Sequence, residues 1–249
     1  MDDARRPRWY VLSLRPRGGH AGVHAAAARV GAGVIELSPW DVVARTDAAT
    51  ARALDAALAC ARIAVTSPSA VRAAHALRAL RPDPARTWIA VGAGTARALR
   101  DAGIDEVQAP ARMDSEGLLA LDALRAPGEV GLVTAPGGRD LLAQALEARG
   151  VAVRRADVYE RVDIELDPAA LATLRALDAP FTTLASSSGA LARVLDGVDV
   201  ATARRLRAAP LVVASARMAV DARTRGFARI RVAAGPLPEM LVTCAAAPG

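Results

Sequence analysis

The chain has 249 residues, enough for one large or two ordinary domains, and its 53% hydrophobic content and mean hydropathy of +0.22 can fill real cores although aromatics are only 3%. No apolar run approaches the ~18 residues of a membrane span, and the opening MDDARRPRW has no signal-peptide core, so a cytoplasmic setting without membrane contact is expected. The net charge of +6 rests on 32 basic residues that are all arginine, which excludes Schiff-base chemistry, a P-loop and a lysine general base.

Strands and helices alternate from the start. Trp9–Leu14 is a short apolar strand, Gly22–Val30 has helical composition and Gly33–Leu37 is strand-like. Ser38–Thr46 changes character, with charged and apolar residues alternating, and reads as an extended connection. Strands follow at Arg62–Thr66, Thr87–Val91 and Glu106–Ala109, with helices at Ser69–Leu80, Gly94–Asp101 and Ser115–Leu124. Ser69 and Ser115 are the expected N-caps of the first and last of these helices. The second half brings strands at Glu129–Thr134, Val151–Val158, Phe181–Ala185, Leu211–Ala214 and Arg229–Val232. Its helices lie at Arg139–Arg149, Ser188–Leu195, Ala216–Arg225 and Glu239–Ala246. Val158–Asp167 is a second extended connection. Gly103, Gly150 and Gly226 each follow an apolar helix, as C-terminal caps do. Short turns between alternating elements predict an α/β fold with parallel sheets covered on both faces. Composition alone suggests two sequential domains split near Pro127.

The second half repeats the first. GIDEVQAPARMDSEGL at Gly103–Leu118 meets GFARIRVAAGPLPEML at Gly226–Leu241 at an offset of 123 residues, which also carries Gly92 onto Ser215. TSPSAV at Thr66–Val71 meets SSSGAL at Ser186–Leu191 at an offset of 120. At an offset of 119, Gly19 falls on Gly138, Gly31 on Gly150 and Trp40 on Tyr159. A repeat this long is a whole domain used twice, and clefts between domains are favoured ligand sites.

Hydroxyl- and glycine-rich turns sit at the ends of the expected strands: TSPS at 66–69, VGAGT at 91–95, APGGR at 135–139, ASSS at 185–188 and VASAR at 213–217. Ligands of open α/β sheets bind beyond the carboxyl ends of strands, and helix N-termini there attract anions. The plain alternative is that these residues only cap helices and turn the chain. The arginine excess reads either as coding bias or as preparation for a polyanionic ligand, since a guanidinium meets carboxylates in a planar fork. No arginine run with interleaved aromatics points to nucleic acid. There is no dinucleotide fingerprint and no GxSxG elbow. Cys60 and Cys244 lie in different halves, outside any CxxC pattern. His20 and His24 have a spacing that can bind metal but lack a third ligand in sequence, so no metal is expected.

The ordered set LRP (Leu14–Pro16), TSPSAV, AVGAGTARAL (90–99), DSEGLL (114–119), GGRDLLAQALEARG (137–150), VYER (158–161), ASSS and VVASARMAVDARTRGF (212–227) resembles the uroporphyrinogen-III synthase family over nearly the whole chain. The resemblance implies two similar parallel-sheet α/β domains joined by a two-stranded linker, with the chain crossing over between them. One domain would hold residues 1–37 and 167–249, the other residues 45–157, with linkers at 38–44 and 158–166. It implies a cofactor-free lyase that cyclises hydroxymethylbilane to uroporphyrinogen III, losing water and inverting the last pyrrole. The expected partners are this small-molecule substrate and, transiently, hydroxymethylbilane synthase, the chain itself being a monomer. Tyr159 matches the tyrosine aimed at the leaving group, Ser67 and Ser187 the turn serines, Thr95 the threonine after the VG turn and Arg15 the arginine after the first strand. Thr66, Ser69, Gly92, Gly138, Arg139, Ser188, Ser215 and Arg217 complete the expected substrate-binding set. Tyr159 is expected to offer its phenol to a wet cleft, against the alternative that it packs in the linker ladder. Two positions depart from the family pattern: Met218 stands where a threonine is common, and Thr134-Ala135 where Arg-Gly is common. A non-catalytic tetrapyrrole- or anion-sensing relative of the same shape is the alternative function, and the presence of Tyr159 favours catalysis.

Overall fold

The computed structural model describes residues 7–110, 117, 119–137 and 140–247. Along the chain the elements are β1 (Tyr10–Ser13), α1 (Ala21–Arg29), β2 (Gly33–Glu36), β3 (Trp40–Ala44), α2 (Ala48–Leu58), β4 (Arg62–Val65), α3 (Pro68–Leu77), β5 (Thr87–Ala90), α4 (Ala93–Asp101) and β6 (Val107–Gln108). They continue as α5 (Asp122–Arg125), β7 (Gly128–Thr134), α6 (Asp140–Glu147), β8 (Val151–Asp157), β9 (Tyr159–Asp163), α7 (Pro168–Ala176), β10 (Phe181–Ala185), α8 (Ser188–Gly197), α9 (Val200–Ala208), β11 (Leu211–Val213), α10 (Ala216–Thr224), β12 (Ile230–Val232) and α11 (Pro238–Ala246).

Two compact units result. The chain up to Asp41 and the chain from Val162 form the first unit; Val42–Arg161 form the second. The first unit holds a parallel five-stranded sheet in the order β12-β11-β10-β1-β2, the second a parallel five-stranded sheet in the order β6-β5-β4-β7-β8. β3 and β9 pair as a separate two-stranded sheet, and the chain passes from one unit to the other within each of these strands. A split near Pro127 into sequential domains does not occur, because it would cut β7 from β4, to which it is hydrogen-bonded.

The repeat read in the sequence is a repeat of register. Leu12 pairs with Thr183 in the first unit and Gly131 with Ile63 in the second, related by the offsets 119 and 120. Thr183 pairs with Leu211, and Ile63 with Trp88, at offsets 120 and 123. Leu211–Ile230 and Trp88–Val107 follow at 123, and Tyr10–Gly33 falls on Glu129–Ala152 at 119. The helix ends repeat as well. After α4, Gly103 adopts φ +88° and Ile104 N–H donates to Leu99 O at 2.9 Å; after α10, Gly226 adopts φ +88° and Phe227 N–H donates to Ala222 O at 3.1 Å. Both are left-handed helix endings that glycine alone adopts without strain.

Each sheet is buried by alternation. In the second unit Ile63, Val65 and Trp88 pack on one face with Leu54, Val71 and Leu99, while Ala64 and Ile89 pack on the other with Leu132, Leu142 and Leu146. Val11, Leu184 and Val212 pack in the first unit against Val23 on α1 and Leu241 and Val242 on α11. Burial of each large aliphatic side chain contributes ~1.5–3 kcal/mol.

Three helices, α2, α7 and α9, were not anticipated. Each opens on an aspartate that accepts from a backbone amide: Asp47 from Thr50, Asp167 from Ala169 and Asp199 from Thr202. The cap of α3 is Ser67, not Ser69: Ser67 Oγ accepts from Ala70 N–H at 3.0 Å and Pro68 takes the first helical position. Of the expected Ser115–Leu124 helix, Ser115, Glu116 and Leu118 lie outside the described residues, and Leu121 is extended where a new helix, α5, begins.

Candidate functional site

In the second unit, hydroxyl groups gather where β4 and β7 end and β9 begins. Thr66 Oγ1 donates to Thr134 Oγ1 at 2.9 Å, and Thr66 N–H donates to Val133 O. One residue on, Ser67 Oγ lies 3.0 Å from the Tyr159 hydroxyl. Val158 N–H donates to Thr134 O at 3.0 Å, which seats the start of β9 on the end of β7 and delivers Tyr159 to α3. Tyr159 is only 3% exposed and packs within the cluster that holds Ile63, Val65 and Trp88. The expectation of a phenol facing a wet cleft therefore does not hold for this structure: the side chain packs in the core and its hydroxyl is bonded to Ser67.

The other expected residues of this unit sit nearby in the chain but do different work. Ser69 Oγ accepts from Arg72 at 3.2 Å. Gly92 caps α4 in extended backbone, and Thr95 is buried in the first turn of that helix. Gly138 and Arg139 lie outside the described residues. Arg155, which the sequence did not single out, braces the adjoining loop: its guanidinium donates to Ala135 O at 3.1 Å and pairs with Asp140 at 2.6 Å and Asp157 at 3.0 Å.

In the first unit the equivalent turns carry a different set. Ser187 stands at the N-cap of α8 without a side-chain cap bond, and Ser188 is the first residue of that helix. Ser215 caps α10, accepting from Met218 N–H at 3.4 Å. Met218 itself is buried, and Ser215 places a hydroxyl at this turn. Arg217 lies close enough to Asp221 to help hold that carboxyl below its ordinary value, behind the larger effect of the Arg225 hydrogen bond. Arg15 follows β1, is largely withdrawn from solvent and donates to Pro236 O at 2.8 Å. Burial pulls its basicity down, and the charge of Glu239 opposes that.

A histidine cluster completes this unit. His20, buried, bridges Ser13 Oγ and Ser38 Oγ at 2.9 Å each, and His24 Nε2 lies 2.6 Å from Glu36 Oε1. Burial lowers the basicity of His20, with Glu36 opposing and His24 and Arg15 adding to the shift. Among the described residues no group of three His, Cys, Asp or Glu side chains is arranged to hold a metal ion, and no helix is long and apolar enough to cross a membrane. A cavity of about 500 Å³ in the second unit is lined by Leu119, Ala120, Arg125 and Arg149 and contains none of the expected site residues.

Residues 22–243 match the family described as uroporphyrinogen-III synthase HemD. Among solved structures, a mutant uroporphyrinogen III synthase from the extremely thermophilic bacterium Thermus thermophilus is similar at 20% identity, with a TM-score of 0.57 over 93% of this chain and 96% of that one. A uroporphyrinogen-III synthetase from Helicobacter pylori is similar at 16% identity, with a TM-score of 0.56 over 95% of this chain and 97% of that one. At these identities the likeness to the two structures is one of fold.

Proposed function

Because the chain belongs to the uroporphyrinogen-III synthase family, whose work is tetrapyrrole biosynthesis, we propose that it is a lyase that cyclises hydroxymethylbilane to uroporphyrinogen III. The observation that carries this reading is the family match across both units. In the reaction the C–O bond of the hydroxymethyl group breaks, the oxygen leaves with the bonding pair and a proton as water, and an azafulvene cation remains. The last pyrrole then attacks through its substituted carbon; the older bond from that carbon to the neighbouring methylene breaks and re-forms at the ring's free α carbon, which gives up its proton, so that the ring ends inverted. The cation forms with little help, so the protein's main task is to fold and hold a flexible polycarboxylate in one geometry.

The residues suit that division of labour. Ser67 Oγ accepts from Ala70 N–H and has its own proton left to give to the phenol oxygen of Tyr159. In that arrangement the phenol proton is not committed to Ser67, and a movement that opens the packing around Tyr159 would offer it to the departing hydroxyl. The turns at Thr66–Ser69, Gly92–Thr95, Ser187–Ser188 and Ser215–Arg217, with Arg15, would receive the acetate and propionate side chains. The same reading has the chain act as a cytoplasmic monomer on a small-molecule substrate, without cofactor. The test is to supply hydroxymethylbilane without metal or nucleotide, and again with EDTA, and to measure isomer III. Isomer III above the spontaneous isomer I, unchanged by EDTA, is expected. Isomer I alone would leave the chain a non-catalytic relative.

A further inference from the structure

The loop from Leu14 to Gly19 carries Arg15 and Arg17 and is fastened at several points. Gly19 N–H donates to Pro16 O at 2.9 Å, closing a turn. Arg17 N–H donates to Trp40 O at 3.0 Å, and its guanidinium lies 3.6 Å from Asp41. His20 ends the loop. One nitrogen of its ring reaches Ser13, the last residue of β1; the other reaches Ser38, in the connection that leads into Trp40 and β3. The imidazole thus ties the strand before the arginine loop to the segment that holds Arg17.

The second unit builds the same sheet without this tie. In the second unit the positions equivalent to Ser13 and Ser38 are Leu132 and Asp157, yet the sheet there has the same order and register. A buried, doubly bonded histidine in only one of two matching sheets is a feature of what that sheet's loop does.

We propose that His20 is a positioning residue for the cyclisation, holding the Arg15–Arg17 loop in the conformation that receives substrate carboxylates. It acts through the arginines and touches no reacting atom. This rests on the synthase reading above.

Kinetics of isomer III formation by the full chain test it, with melting temperature measured on each preparation. His20→Leu and Ser38→Ala are expected to raise KM about 3- to 10-fold, the size of one or two lost hydrogen bonds, while kcat falls less than about 2-fold. His20→Gln, which keeps a donor and an acceptor, should recover most of the affinity. His20→Leu combined with Arg15→Gln should be no weaker than Arg15→Gln alone, because both act through one contact. If His20→Leu does not fold, Ser38→Ala, at a partly exposed position, gives the same reading. An active parent protein with KM unchanged in Ser38→Ala overturns the proposal alone. A parent that makes only isomer I overturns the synthase reading and this proposal with it.

Discussion

Residues 12 and 131 occupy the same place in the two sheets, and one is leucine, the other glycine. Leu12 is fully buried in the first unit. At Gly131 an added Cβ would come within 2.0 Å of Ala57 O, because the backbone of α2 lies directly on β7. Residues 36 and 155 are also equivalent. Glu36 accepts from His24, whereas Arg155 donates to Ala135 O, Asp140 and Asp157. Residues 40 and 159 are Trp and Tyr, the first residues of β3 and β9, and each side chain lies beside the start of a helix. An added Cβ on Gly189 in α8 would be 3.8 Å from the Trp40 ring, while Tyr159 bonds Ser67 at the cap of α3. The first unit also has α9, where the second runs from Arg78 to Arg86 without a helix. Duplication has kept the hydrogen-bond register and helix endings, which depend on backbone. The side chains that fill, brace and cap each copy have diverged.

The sharpest way to break this comparison is to cut the chain. Residues 45–157 contain every strand of the second sheet and should fold alone with a cooperative urea transition. Residues 1–126 contain parts of both sheets and neither whole, and should not. A cooperative transition in 1–126, with an m-value normal for its size, would contradict the two-unit reading.

Single substitutions at positions 12 and 131 come next. Leu12→Ala leaves a cavity and should cost about 2–5 kcal/mol. Gly131→Ala drives a methyl into helix backbone that cannot swing away and should cost about 3 kcal/mol or more. Trp88, buried in the second unit, reports its unfolding by fluorescence, and Trp9 and Trp40 report that of the first. The Gly131 variant should destabilise the Trp88 transition. An unchanged Trp88 midpoint would mean that α2 is not seated on β7.

Much of this architecture was legible in the sequence because apolar strands, glycine helix endings and the three offsets are local signals. The register equivalence follows the same three offsets that showed the repeat. The missed helices α2, α7 and α9 are rich in Ala and Arg, so their periodicity is weak. Their usable signal was the aspartate caps at Asp47, Asp167 and Asp199, with Pro168 after the second. The candidate site was less legible. Tyr159 could be singled out, but its burial against Ser67 depends on β7 delivering β9 to α3 across 92 residues of chain. The bridge from His20 to Ser38 and the brace from Arg155 to Ala135 likewise exist only once strands are paired.

The Trp40–Tyr159 pair gives a functional contrast. Tyr159→Phe should lower kcat about 10- to 100-fold, roughly 1.4–2.7 kcal/mol, the low end of positioned proton donation or below it. Since the hydroxyl is buried and bonded to Ser67, the same change should cost about 1 kcal/mol of stability. Trp40→Phe removes no hydroxyl and should lower melting temperature while leaving kcat within about 2-fold. Full activity in Tyr159→Phe together with a lowered melting temperature would make Tyr159 a core residue only.

The smallest expected effect separates two aspartate caps. Asp47 in the second unit is held below its ordinary value by the Thr50 amide and then the Thr50 hydroxyl. Asp199 in the first unit has the matching bonds from Thr202, plus Arg175 at 2.5 Å, and lies far below the ordinary carboxylate range. A carboxyl whose folded-state pKa is depressed stabilises the fold above its unfolded value and loses that contribution as pH falls through the folded one. Both caps should therefore contribute fully at pH 7, and both should weaken only below the ordinary aspartate value of 3.8. The Asp47 contribution should fade first and that of Asp199 last. Melting temperatures of the parent, Asp47→Ala and Asp199→Ala between pH 7 and pH 2 would show this as two differences of a few degrees that close at different pH. High salt should bring the two closer by screening the exposed Arg175 pair. Differences that close together near the ordinary value would mean that neither carboxylate keeps its cap bonds in solution, and that the caps of the two units are equivalent.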